Sequence, residues 1–225
     1  MSKGVCLLSG GVDSACAALI AKKAGIKLFG LHFKRERKAF EADYSQHFAD
    51  SNNFPLKIVT EDITDLIRSL QEPKIEYVTQ DSQKWEFLLG RNLIYLTLAA
   101  NYAVSMKASI IITGFASHDA FPGDPPRLGD YPDCHQKVLA KFNSVLNNCF
   151  HSTLDSPPLT IWTPLVNRTT TKVSVFKLAL ELGIKLKDTI TCYTPVKNDD
   201  GSWTECGECL ACYHKKKALN ELDIR

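Results

Sequence analysis

Residues 4–23 read Gly4-Val5-Cys6-Leu7-Leu8-Ser9-Gly10-Gly11-Val12-Asp13-Ser14-Ala15-Cys16-Ala17-Ala18-Leu19-Ile20-Ala21-Lys22-Lys23. Gly4 to Leu8 is a short apolar run of the kind that forms a buried parallel strand. From Asp13 onward the apolar positions recur at helical spacing, and Gly25 stops them. Between the two lies Ser9-Gly10-Gly11-Val12-Asp13-Ser14. Its adjacent glycines let the backbone turn tightly and bring N–H groups close to an anion. The helix N-terminus adds unpaired donors and a positive dipole end, and the hydroxyls of Ser9 and Ser14 add more. Together these form a cradle for a pyrophosphate. No Gly-Lys-Ser/Thr follows, so it is not a Walker loop, nor is it the Gly-x-Gly-x-x-Gly turn of dinucleotide folds.

Outward from this unit the alternation continues. Leu28 to Phe33 reads as a second strand, Lys38 to Asn52 as a helix and Leu56 to Thr60 as a third strand. Asp62 is placed to cap a helix running to about Leu70. Periodicity weakens from Glu72 to Leu89, which implies an irregular loop or lid. Arg91 to Met106 is strongly helical and Ser109 to Thr113 is a strand. Residues 114–132 hold three Gly and four Pro and cannot be one regular element. Helices are expected over 136–147, 171–182 (ended by Gly183) and 209–222. Strand–helix alternation with short connections indicates an α/β fold with a doubly wound parallel sheet.

Composition is that of an ordinary globular protein: 225 residues, 44% hydrophobic, 27 basic against 25 acidic side chains. Such a balance gives little general attraction to nucleic acid, and no direct nucleic-acid partner is expected. No apolar run is long enough to span a membrane, and the N-terminal residues lack the pattern of a signal peptide. Of eight cysteines, Cys6, Cys16, Cys134 and Cys149 are scattered, whereas Cys192, Cys206, Cys209 and Cys212 cluster. Clustered Cys-x-x-Cys spacing without a secretion signal favours metal binding in a reducing compartment, and a cytoplasmic location is expected. Four thiolates close a tetrahedral structural zinc site. A redox pair or plain buried thiols are the alternatives. His214 is read as a surface histidine, His214-Lys215-Lys216-Lys217 as a solvated face, and Trp203 as cover for the metal turn. The chain divides into residues 1–190, a nucleotide-binding α/β domain, and 191–225, a four-cysteine zinc-binding segment with a helix.

Ser-Gly-Gly-x-Asp-Ser after an N-terminal strand resembles the pyrophosphate loop of the ATP-pyrophosphatase superfamily. Three further segments narrow the resemblance: Gly90-Arg91-Asn92 opening a helix; Ile111-Ile112-Thr113-Gly114 followed by Asp119 and by Tyr131-Pro132-Asp133-Cys134; and Thr191-Cys192-Tyr193. In this order they resemble the 7-cyano-7-deazaguanine synthase family, in patches over nearly the whole chain. The resemblance implies an adenine nucleotide alpha hydrolase-like fold and a binding set of 7-carboxy-7-deazaguanine, ammonia, ATP, Mg2+ and Zn2+. It also implies an ATP-dependent carbon–nitrogen ligase of queuosine biosynthesis that adenylates the carboxylate, forms an amide with ammonia, and activates the amide with a second ATP to give a nitrile. A homodimer is the expected assembly.

On this reading Ser9, Gly10, Gly11, Asp13, Ser14, Thr113 and Gly114 hold the nucleotide, with Asp13 near magnesium. Gly90, Arg91, Asn92, Asp119, Tyr131, Pro132 and Asp133 hold the substrate. Asp13, Arg91 and Lys172 are the catalytic candidates. Arg91 pairs with a carboxylate or phosphate, Asn92 and Asp133 read a purine-like edge, Tyr131 stacks on it, and Lys172 offsets charge on the departing pyrophosphate. For Arg91 the plain alternative is a helix-surface ion pair, and for Tyr131-Pro132 a simple turn. Cys134 is a thiol beside the substrate segment with no base identifiable as its partner.

The chain departs from the family at Phe33-Lys34-Arg35-Glu36-Arg37-Lys38, which lacks the usual glycine, glutamine and histidine, and in its long stretch from Ala116 to Asp130. The runner-up is therefore a diverged ligase, as in antiviral defence, that stops at an amide and joins the deazaguanine carboxylate to an amine of a partner protein. An RNA-modifying relative and a zinc-stabilised binding module stand further off.

Overall fold

The computed structural model describes residues 1–71, 76–78, 84–86, 88, 90–117, 131–154 and 157–224, with the backbone alone at 37, 76–78, 84–86 and 151–154. Asp119 and the rest of 118–130 lie outside the described residues.

The sheet is built from β1 (Lys3–Leu7), β2 (Lys27–Lys34), β3 (Leu56–Thr60), β6 (Ile110–Ile112) and β7 (Thr160–Trp162). All five run parallel, in the order β3-β2-β1-β6-β7. Side chains alternate between two apolar layers, as the pleat requires. Cys6 of β1, Leu28 of β2 and Ile112 of β6 face one layer. It is completed by α1 (Val12–Lys23), α2 (Ala39–Ser51), α6 (Lys172–Glu181) and α7 (Leu210–Glu221). Val5, Phe29, Leu31 and Ile111 face the other, under α4 (Arg91–Ser105) and α5 (Gln136–Leu154). Ile111 and Ile112 are both fully buried, one in each layer. The doubly wound parallel sheet is thus the observed architecture. Ala218 and Leu222 of α7 pack into the first layer, so the last helix is held by the main core.

Most elements fall within two residues of the sequence reading, and five features differ. Helix α3 (Ile63–Leu70) begins after Asp62, but Asp62 makes no side-chain cap. The Glu61 carboxylate instead accepts from the Thr64 N–H at 3.3 Å. The weakly periodic stretch after residue 71 contains two short antiparallel strands, β4 (Glu76–Val78) and β5 (Lys84–Glu86). Helix α5 runs on to Leu154, and β7 was not foreseen, because three residues bounded by prolines carry no readable period. The two-residue strands β8 (Val196–Lys197) and β9 (Trp203–Thr204) pair between Cys192 and Cys206.

Candidate functional site

The chain winds outward from β1 through β2 to β3, then crosses back to β6 and β7. The order therefore reverses between β1 and β6, where open α/β sheets leave a crevice at the carboxyl ends of their strands. A cavity of about 240 Å3 lies at that point. It is lined by Ser9, Asp13 and Ser14 after β1, His32, Phe33 and Arg35 at the end of β2, Glu41 of α2, Arg91, Asn92 and Tyr95 of α4, and Thr113, Gly114 and Phe115 after β6.

The glycine turn forms one wall. Gly10 has φ +76°, and a Cβ there would stand 2.7 Å from the Glu41 carbonyl oxygen, so only glycine lets the turn pass under α2. Gly11 is the N-cap of α1 in extended conformation. The Ser14 hydroxyl accepts from the Ser9 N–H at 3.2 Å and donates to the Gly11 carbonyl at 3.0 Å, and Ser9 Oγ lies 3.1 Å from it. The turn is thus preshaped around the helix N-terminus. Gly114 closes the wall from β6: a Cβ on it would meet the Ser14 nitrogen at 2.7 Å. Beside it Thr113 is buried, and its hydroxyl has no hydrogen-bond partner among the described residues.

Asp13 in the first turn of α1 pairs with Lys172 Nζ at 2.5 Å. Lys172 is the first residue of α6, which is set by a capping box: the Thr171 side chain accepts from the Ser174 N–H, and Ser174 Oγ accepts from the Thr171 N–H. Two helix N-termini therefore approach each other across one ion pair, and their dipoles favour an anion there. Asp13 and Lys172, 159 positions apart in the chain, are brought together; so are Ser9, Ser14, Thr113, Gly114, Arg91 and Asn92, all at one cavity.

The remaining substrate candidates are placed differently. Gly90, at φ +70°, precedes α4. Asn92 donates its backbone N–H to Asp133 Oδ2 at 2.9 Å and its amide to Asp133 Oδ1 at 3.1 Å. Asp133, 7% exposed, thereby caps α4, and both its oxygens are engaged. Asn92 also reaches Cys134 Sγ at 3.2 Å; that thiol is buried and not part of the cavity lining. Tyr131 and Pro132 lead into a short 3-10 turn and are likewise not among the lining residues.

Four lining residues with polar side chains, His32, Arg35, Glu41 and Tyr95, are not among the sequence candidates. His32 is 2% exposed, with Nδ1 2.7 Å from the Leu8 carbonyl and 3.1 Å from Ser45 Oγ. Burial holds its pKa below the ordinary range, and Nε2 has no partner among the described residues. Tyr95 stacks on Phe33 at 4.6 Å and donates to Glu61 at 2.6 Å. Arg35 pairs with Glu41 at 2.5 Å. Nothing in the one-dimensional sequence distinguishes these from ordinary strand and helix residues, save that Arg35 lies in the segment that departs from the family.

The second centre is the cysteine cluster. The Sγ atoms of Cys192, Cys206, Cys209 and Cys212 all lie within 4.8 Å of one another. Tetrahedral Zn–S bonds of about 2.3 Å set sulfurs about 3.8 Å apart, so the four can hold a zinc ion. Cys192 and Cys206 stand at 3.4 Å, Cys192 and Cys209 at 3.9 Å. Backbone N–H groups point at the sulfurs, from Cys206 to Cys192 at 3.2 Å and from Cys209 to Cys206 at 3.4 Å. Such donation favours the thiolate. The Glu208 and Cys209 N–H groups bring Cys206 down to about 6. Trp203 packs among the cysteines, edge-on to Phe40, and donates to Asp43 at 2.9 Å. His214 is exposed and outside the cluster. Lys215 corrects the reading of a purely solvated run: its ammonium lies 2.8 Å from Glu205, which accepts from both the N–H and the hydroxyl of Thr191.

Residues 3–223 match the family described as queuosine biosynthesis protein QueC. The chain is 28% identical over 237 positions to the 7-cyano-7-deazaguanine synthase of Rickettsia canadensis (strain McKiel), covering all of this chain and 97% of that protein. It is 30% identical over 234 positions to the protein of the same name from Methanoculleus marisnigri, covering 100% and 96%. Among solved structures, NMN synthetase from Francisella tularensis shares the fold, with a TM-score of 0.51 at 14% identity over all of this chain and 78% of that one.

Proposed function

The chain belongs to the QueC family, and from that premise we propose that it converts 7-carboxy-7-deazaguanine to 7-cyano-7-deazaguanine with ammonia and ATP. The observation that carries this reading is that Ser9, Asp13 and Ser14 of the glycine turn line one cavity with Arg91 at the switch point of the sheet, and that Lys172 pairs with Asp13. A carboxylate is a poor electrophile because its charge repels nucleophiles. Adenylation removes that charge and supplies a leaving group. The turn's N–H groups and the two helix N-termini would hold the phosphates. Lys172 would offset charge as pyrophosphate departs, and Arg91 would bring the acid to the α-phosphate. Asp13 is the carboxylate suited to magnesium, which would neutralise phosphate charge when bound. Thr113, whose hydroxyl has no partner among the described residues, is suited to the nucleotide.

The curated relatives named above are described as synthases, and nothing in them or among the described residues favours the protein-joining alternative. The purified protein, given the carboxylate, ATP, magnesium and ammonia, should accumulate the nitrile, read by mass spectrometry. Arrest at the amide would overturn the complete reaction, and absence of any AMP would overturn the reading altogether.

A further inference from the structure

At and beside the cavity lies a group of charges that nucleotide binding does not use. Arg35 follows β2 and pairs through Nη2 with Glu41 Oε2 at 2.5 Å. Lys38 reaches the other oxygen of the same carboxylate at 3.4 Å. Arg91 enters from α4, and its buried Nε has no hydrogen-bond partner among the described residues. Among the described residues Arg35 and Lys38 thus share the Glu41 carboxylate, with the Arg91 charge near enough to be felt at Lys38, whereas Asp13 and Lys172 match each other one to one. Their mutual repulsion is felt at Lys38. Burial lowers its pKa, Glu41 opposes this, and both Arg35 and Arg91 add to the lowering. Such an excess of positive charge in a half-buried site costs free energy unless an anion completes it.

We propose that Arg35, supported from behind by Lys38 and facing Arg91, is the seat of the substrate's carboxylate, and that Glu41 holds the Arg35 guanidinium at the cavity. This rests on the synthase reading and deepens it. Two observations favour a carboxylate over a phosphate as the occupant. The phosphate end is already furnished by the glycine turn, two helix N-termini and Lys172. Arg35 comes from the β2 side of the turn, away from Thr113 and Gly114 on β6. A guanidinium fork matches a carboxylate in bidentate fashion, and placing it there offsets the repulsion between the incoming acid and the α-phosphate.

The reaction supplies its own control. Its first half acts on an anion, the 7-carboxylate; its second acts on the neutral 7-carboxamide of the same heterocycle with the same ATP. Arg35→Gln and Lys38→Gln should be assayed in both halves at saturating ATP, with Arg35→Lys as the conservative variant. Loss of one charge-assisted contact predicts a KM for the carboxylate raised roughly ten- to a hundredfold. That rise should exceed any change in KM for the carboxamide by about tenfold, and Arg35→Lys should recover part of it. Turnover of the carboxamide shows in the same experiment that each variant is folded. An equal rise for both substrates, a rise confined to the KM for ATP, or no change in either would overturn the proposal. A wild-type protein that turns over neither substrate overturns the synthase reading first, and the carboxylate seat with it.

Discussion

A methyl group at position 114 would meet the Ser14 nitrogen at 2.7 Å and the Asp13 carbonyl carbon at 2.9 Å. Both are backbone atoms of the glycine turn, so they cannot yield as a flexible side chain would. Gly114→Ala must therefore push β6 and the turn apart at the phosphate end. Displacement on the order of 1 Å can cost about a hundredfold in rate. We predict a loss of kcat/KM of about that size, with Tm lowered by a few degrees. Lys172 makes a complementary case. Its side chain is 32% exposed and its pairing with Asp13 is partly solvated, so the pair adds on the order of 1 kcal/mol or less to stability. If it offsets charge on departing pyrophosphate, Lys172→Met should lower kcat by about 10²–10³ while thermal melting stays nearly unchanged. A large fall in Tm with intact kcat would make Lys172 a structural residue only. At this scale the sequence was partly legible. Ser9 to Ser14 could be read because six consecutive residues carry the geometry. That Asp133 also caps α4, 41 positions from Asn92, could not be read, because packing alone sets that contact. His32 and Glu41 carry no local signal at all.

At the scale of elements, the cysteine segment is fastened to the nucleotide turn. The Ile190 N–H donates to the Gly10 carbonyl at 2.9 Å, and Phe40, Ile190, Cys192 and Cys212 form one apolar cluster beside that turn. Glu205 secures the start of the segment through Thr191 and Lys215. Glu205→Ala would leave a half-buried ammonium and a backbone N–H without this partner, at a cost of about 1–3 kcal/mol. The expected result is a lower urea midpoint with the capacity to bind zinc unchanged, since Glu205 is not one of the four cysteines that could hold it. Loss of zinc in that variant would contradict the assignment of its role. Helices with long apolar periods were legible in the chain, and so were the three strands preceding residue 61. Strand β7 was not, because three residues at the sheet edge take their conformation from Asn143 and Asn147 of α5. The amides of these two residues accept the N–H groups of Ile161 at 2.9 Å and Leu159 at 2.7 Å.

Across the whole molecule, the reversal of strand order opens one crevice lined by the charged side chains of Asp13, Arg35, Glu41 and Arg91, and apolar layers pack on both faces of the sheet beneath it. A near-neutral chain suits small anionic ligands met by local charge rather than a polyanion met by a broad field. No described helix is long and apolar enough to cross a membrane. The central claim is that the acid is joined to AMP before ammonia attacks it. Substrate labelled with 18O in both carboxylate oxygens, incubated with ATP and ammonia, tests this by following the oxygen. One oxygen leaves with AMP when ammonia displaces it, and the second leaves with another AMP as the amide becomes a nitrile. The account predicts two AMP per nitrile, each carrying one heavy oxygen, with unlabelled pyrophosphate. ADP and labelled phosphate, or AMP without the label, would contradict it.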